Sequence, residues 1–157
     1  MKHLLLGDEA IAQGAIDAGL SGVYAYPGTP STEITEYIQQ SEKRKALSAS
    51  TEDGTNNAYS LEHKGKIFCQ WATNEKTAME GALGMSYMGK RALVCMKHVG
   101  MNVCADAFMN AAITGVNGGL VVVAADDPSM HSSQNEQDSR FYAKFAMIPC
   151  LEPSNQQ

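Results

Sequence analysis

The run Leu120-Val121-Val122-Val123-Ala124 constrains the fold more than any other stretch. Its almost unbroken valine content predicts a strand buried on both faces, which is the habit of parallel sheets covered by helices. The rest of the chain supplies matching units. Val23 to Tyr26 reads as a strand, Pro27-Gly28-Thr29-Pro30 as a turn, and Pro30 to Arg44 as a helix. Ile67 to Trp71 reads as a strand, Thr73 as a cap, and Asn74 to Met88 as a helix closed by Gly89. Ala92 to Met96 reads as a third strand, Lys97 to Met101 as a loop, and Asn102 to Ile113 as a helix. Asp8 to Ala18, with Gly19 at its end, opens the chain as a helix. Alternation of this kind predicts right-handed crossovers and a three-layer α/β/α domain on a mostly parallel sheet.

A length of 157 residues fits one domain, and 44% hydrophobic residues suit an ordinary core. Seventeen acidic against twelve basic residues leave a net charge of −5, so no basic footprint exists for nucleic acid or anionic lipid. No apolar run approaches the ~20 residues needed to cross a bilayer. The first ten residues turn acidic too early for a signal peptide, and the expectation is a cytoplasmic protein. Cys69, Cys95, Cys104 and Cys150 form no C-x-x-C pair and read as small buried hydrophobes. Two polar stretches interrupt the pattern. Residues 48–65 read as a surface insertion or loop, and Asp126 to Arg140 follows the valine strand, at the carboxyl end where open α/β sheets place ligands.

Every predicted strand therefore ends in polar residues that should converge on one rim. Neither G-x-G-x-x-G after a strand nor G-x-x-x-x-G-K-[ST] occurs, which weakens a dinucleotide or P-loop assignment. Glu75 stands in the first turn of a helix, where the dipole favours a carboxylate, so capping competes with function. The small residues Ala78, Gly81, Ala82, Gly84 and Ser86 behind it invite a second helix or a twin subunit. His98 and His131 lie in polar loops without metal-ligand spacing, and each could donate a hydrogen bond. Asp126-Asp127 more often caps a turn than binds a cation, so metal is left unassigned. Arg140 could fork to a substrate carboxylate or pair with Asp138, with nothing in the sequence to choose.

Four segments taken together, Tyr26-Pro27-Gly28-Thr29-Pro30-Ser31, Trp71-Ala72-Thr73-Asn74-Glu75-Lys76, Met96-Lys97-His98-Val99-Gly100-Met101-Asn102 and Ala125 to Asp138, resemble the amino-terminal part of the large subunit in the indolepyruvate ferredoxin oxidoreductase family. That family belongs to the thiamine-diphosphate-dependent 2-oxoacid:ferredoxin oxidoreductases. The resemblance implies the thiamine-diphosphate-binding fold and, within it, the domain that takes the cofactor's aminopyrimidine. It implies that the chain is a fragment, with the diphosphate, Mg²⁺ and [4Fe-4S] clusters held by parts not present here. It further implies a small (beta) subunit, ferredoxin and coenzyme A as partners, while the small residues themselves suggest a dimer through the 74–88 helix.

On the same resemblance Glu75 hydrogen-bonds the pyrimidine N1′, promoting the tautomer whose nitrogen removes the thiazolium C2 proton. Thr29 and Pro30 match the loop that approaches thiazolium and substrate. His98 and Asn102 match the loop beside the cofactor. His131 and Arg140 match a substrate-side position, with Arg140 meeting the 2-oxoacid carboxylate. Residues 48–65 look longer than the family's connection. The activity implied is oxidative decarboxylation of aryl pyruvates to acyl-CoA, with electrons passed to ferredoxin. Two alternatives stand beside it: another thiamine-dependent 2-oxoacid decarboxylase, and a non-catalytic α/β dimerisation module.

Overall fold

A computed structural model of the chain describes residues 4–52 and 65–155. The elements run α1 (Gly7–Asp17), β1 (Gly22–Ala25), α2 (Thr32–Glu52), β2 (Phe68–Trp71), α3 (Glu75–Tyr87), β3 (Arg91–Lys97), α4 (His98–Thr114), β4 (Gly119–Ala125), a 3₁₀ turn (Pro128–Met130) and α5 (Arg140–Ala146). The strands form one sheet in the order β2-β1-β3-β4, and every pairing is parallel. Gly22 faces Phe68 on one side and Ala92 on the other, and Arg91 faces Gly119.

Because side chains alternate along a strand, β1 and β3 feed two separate cores. Val23, Ala25, Leu93 and Cys95 pack with Ala12 of α1 and with Ile34 and Ile38 of α2. Tyr24, Val94 and Met96 pack on the opposite face with Ala78 and Met79 of α3 and Met101 and Phe108 of α4. The expected α/β/α layering is thus present, with all the described strands parallel.

Several expectations change. The valine strand is not the most buried: β4 lies at the edge of the described sheet, pairs with β3 alone, and leaves Val121 58% exposed. The residues buried throughout are those of β1 and, between its ends, β3. Lys97 to Met101 is not a loop, because β3 runs directly into α4 at His98. Residues 48–52 continue α2 and so are not a loop, while 53–64 lie outside the described residues.

Asn74, not Thr73, caps α3, its side chain accepting the Thr77 N–H at 2.9 Å. The small residues of α3 are used within the chain. Ala78, Ala82 and Ser86 are buried, and Gly81 lies so close to the Tyr24 ring that a β-carbon would come within 2.7 Å of it. These residues of α3 are thus taken up by the chain's own sheet and by α4, while Gly84 stays exposed with open space around it. Cys95 and Cys104 are buried, which pushes both thiols up to about 12, but Cys150 is exposed.

Candidate functional site

The carboxyl ends of the four strands bring the predicted segments to one rim. After β1, the turn at 28–32 closes on itself: Gly28 N–H donates to the Thr32 hydroxyl at 2.9 Å, and Ser31 donates to Gly28 O through both its N–H and its hydroxyl. The Thr29–Pro30 peptide is cis, Thr29 is exposed and Pro30 half-buried. Gly28 lies against the aliphatic stem of Lys97, where a β-carbon would come within 3.0 Å. This joins the first rim segment to the third.

Glu75 is the first residue of α3, placed there by the Asn74 cap. Its side chain is 8% exposed, and among the described residues its carboxyl has no hydrogen-bond partner. Unlike the sealed, unpartnered atoms of Thr35, Ser86, His98, Asp126 and Ser139, its oxygens keep some accessible surface, so a donor arriving at the rim can reach them. Gly100, in the first turn of α4, lies against this carboxyl. Cys104, one turn further along, lies near enough that the Glu75 charge adds to the rise of its thiol.

The segment after β4 is strapped onto the same turn of α4. His98 is fully buried, its Nε2 lying 3.0 Å from both the backbone and the side-chain oxygen of Asn135, and its Nδ1 has no partner. Gln137 donates to His98 O at 3.0 Å and accepts from Asn102 at 2.9 Å. Tyr142 donates its hydroxyl to Asn102 Oδ1 at 2.5 Å, and Lys97 Nζ donates to Ser132 O at 2.7 Å. His98 is thus sealed against the loop and Asn102, though exposed, is hydrogen-bonded to it, while Glu75 and Gly100 form the adjoining part of the rim.

Asp127 organises the loop internally. Its carboxylate accepts the Ser133 hydroxyl at 2.6 Å, the Ser132 N–H at 2.8 Å, the Ser132 hydroxyl at 3.2 Å and the His131 N–H at 3.1 Å. These donors, the Ser133 hydroxyl foremost, pull its pKa down to about 2. Asp126 accepts the Ser139 N–H at 2.9 Å. Both acids thus do the turn-building work expected of them, and no cluster of metal ligands occurs among the described residues. The ring of His131 is exposed.

Arg140 takes the pairing rather than the open fork. Nε and Nη2 each bind Asp138 at 2.8 Å, and Nη1 binds Glu152 at 2.9 Å. The Arg140 fork holds the Asp138 carboxyl below its ordinary value. The hollow beside it is lined by Asp126, Glu136, Asp138 and Glu152, an acidic surround for an incoming carboxylate. Sequence reasoning missed Asn135, Gln137 and Tyr142, although the amide-rich run Gln134 to Gln137 carried a signal of hydrogen bonding.

No protein-family model matches the chain. Along its length, however, it is similar to subunit IorA of indolepyruvate oxidoreductases from archaea. It is 48% identical over 156 residues to that of Pyrococcus horikoshii, covering 99% of this chain and 21% of the subunit. Identity is 47% to the Archaeoglobus fulgidus subunit and 44% to that of Methanothermobacter marburgensis, in each case over 99% of this chain and 22% of the relative. This chain is related to the IorA subunits. It spans about a fifth of their length.

The similarity to IorA runs through all four rim segments, so the resemblance read from them extends over the whole chain. Among solved structures, the 2-oxoglutarate:ferredoxin oxidoreductase from Magnetococcus marinus, with 2-oxoglutarate, coenzyme A and succinyl-CoA bound, shares the fold. The TM-score is 0.57 at 23% identity, over 80% of this chain and 18% of that one. No described helix is long and apolar enough to cross a membrane.

Proposed function

We propose that this chain forms the aminopyrimidine side of a thiamine diphosphate site, with Glu75 as the group that meets the pyrimidine N1′. The reading rests on one observation above the others: a carboxyl buried at the sheet's carboxyl rim, first in its helix and unpartnered among the described residues. A ring nitrogen bearing a proton is the donor such an oxygen lacks. The site's fit to the cofactor is one-sided, since the rim offers an acceptor for a ring nitrogen while the sequence carries no glycine-rich cradle for phosphates. The diphosphate, its Mg²⁺ and any [4Fe-4S] clusters then belong to other parts of the enzyme.

In this reading the cofactor supplies the nucleophilic carbon and the electron sink for decarboxylation. The chain's own residues do the rest. Glu75 holds a proton at N1′ and fixes the ring's protonation state. His98, Asn102, Asn135 and Gln137 keep the loop after β4 pinned to the first turn of α4, so the Glu75 side of the rim has one shape. Thr29 and Pro30, on an exposed turn, face the substrate end, with the His131 ring on the neighbouring loop.

The whole enzyme is then a 2-oxoacid:ferredoxin oxidoreductase acting on aryl pyruvates. It releases carbon dioxide, hands two electrons to ferredoxin and the acyl group to coenzyme A, and includes a small partner subunit. The names borne by the IorA relatives support the aryl pyruvate class. The test is the rate at which the C2 hydrogen of bound thiamine diphosphate exchanges with deuterium, read by quenched NMR on the complete enzyme. Glu75→Ala is expected to slow exchange by about 10²- to 10⁴-fold, the usual span for proton-transfer catalysis. Exchange at the parent rate would remove Glu75 from the chemistry.

A further inference from the structure

Gly100 occupies the third residue of α4, where the backbone has no positive φ and makes no turn. Glycine in such a place destabilises a helix relative to alanine, so its use needs another cause. The cause is Glu75. A β-carbon on Gly100 would lie 2.6 Å from Glu75 Cγ, 2.8 Å from Oε1 and 2.9 Å from Cδ, closer than real contacts of this kind. Other crowded glycines meet different neighbours: the Met85 thioether at Gly22, the Tyr24 ring at Gly81, the Lys90 backbone at Gly118. Only Gly100, among the described glycines, meets a carboxylate.

We propose that Gly100 is a positioning residue: the space its missing side chain leaves is the seat that fixes where the Glu75 carboxyl sits. The inference rests on the reading of Glu75 given above and adds a determinant from a different helix. The backbone at Gly100 is held from both sides, by β3 running straight into α4 and by the buried His98 and Met101. The Glu75 carboxyl has no hydrogen bond to hold it. When both cannot occupy the same space, the carboxyl moves and the helix stays. A methyl group at position 100 therefore displaces the proton-holding oxygen by a fraction of its own width while leaving the fold in place.

The experiment uses the complete subunit assembled with its partner and loaded with thiamine diphosphate and Mg²⁺. The variants are Gly100→Ala, Glu75→Gln, the two combined, and Gly84→Ala, a helical glycine with open space around it. C2 deuterium exchange and thermal melting are read for each. Gly100→Ala is expected to slow exchange by roughly ten- to a hundredfold, the effect of misplacing a catalytic group by about 1 Å, with the melting temperature kept or raised. In the Glu75→Gln background Gly100→Ala is expected to change exchange no further, since both act through one carboxyl. Gly84→Ala is expected to exchange at the parent rate.

A melting temperature lowered by Gly100→Ala, or a slowing that multiplies with that of Glu75→Gln, overturns the inference by giving Gly100 a structural role of its own. Parent-rate exchange in Gly100→Ala alongside slow exchange in Glu75→Gln overturns it while leaving the function of Glu75 intact. Parent-rate exchange in Glu75→Gln itself removes the functional reading and the inference with it.

Discussion

Glu75 and Asp127 are both acids, both largely buried, and both at the carboxyl ends of strands, yet their oxygens have opposite company. Asp127 is met by two hydroxyls and two backbone N–H groups from His131, Ser132 and Ser133. Glu75 is met by no hydrogen-bond donor among the described residues and by the bare α-carbon of Gly100. The first carboxylate has been spent on shaping a loop. The second keeps its hydrogen-bonding capacity in reserve, and a folded protein tolerates that expense where a ligand will use it. Position on the rim alone does not distinguish a functional acid from a structural one; the donors around it do.

The comparison breaks most sharply if the two acids are exchanged for amides. Glu75→Gln is expected to abolish most C2 exchange in the complete enzyme, by two orders of magnitude or more on the scale of about 10²- to 10⁴-fold. The same variant is expected to melt at or above the parent temperature, because it replaces a largely buried carboxyl that makes no hydrogen bond within the described chain with a neutral amide of the same shape. A clear fall in melting temperature would mean that Glu75 holds the fold as well.

Asp127→Asn is expected to do the reverse. It replaces an acceptor of four bonds with a weaker one, so peptides covering residues 127–133 should exchange amide hydrogen severalfold faster by mass spectrometry, with melting reduced only modestly. Unchanged protection there would show that the loop is held by His98 and Lys97 instead.

Acid sharpens the same contrast without mutation. The folded-state pKa of Asp127 is pulled from 3.8 to about 2, so the loop's extra stability is complete above the upper value and is lost as pH falls through the lower one. Protection of residues 131–133 is expected to fall in that window. Asp127→Asn should flatten the dependence, and a parent-like curve in the variant would assign it to another carboxyl.

The smallest expected effect concerns Arg140. Exposed ion pairs contribute little, so Arg140→Lys should barely move melting, and with Asp138 and Glu152 occupying the fork it should leave KM for the 2-oxoacid nearly unchanged. A KM raised tenfold or more would put the guanidinium in the substrate site after all.

What the sequence disclosed and what it concealed follow from the range of the interactions concerned. The strands and most helix ends are encoded by local patterns and lie within a residue or two of expectation, but α2 runs eight residues past Arg44 and α5 has no pattern that announces it. The carboxyl rim followed from parallel topology. The start of α4 was hidden because Gly100 reads as a loop residue; its reason is a side chain 25 positions earlier in another helix. The valine run of β4 announced a strand but not its neighbours, and an edge place depends on which segments pair. Asp127 pointed to a turn correctly, whereas the Asn135 and Gln137 contacts with His98 join segments that only the fold brings together. Arg140 was balanced between two partners because both were acceptable carboxylates, and proximity chose Asp138.

The sheet order sets a timetable for the chain as it is made. β1 pairs on one side with residues 68–71 and on the other with residues 92–95, both later in the sequence. Val23, Tyr24 and Ala25 therefore leave the ribosome with no strand to join, and the centre of the sheet cannot close until Cys95 has emerged. Parallel pairing of distant segments is intrinsically slow for the same reason. For that interval the residues that will become the most buried in the protein are its most exposed apolar stretch, and a nascent chain of this design depends on whatever shields β1 until β3 arrives.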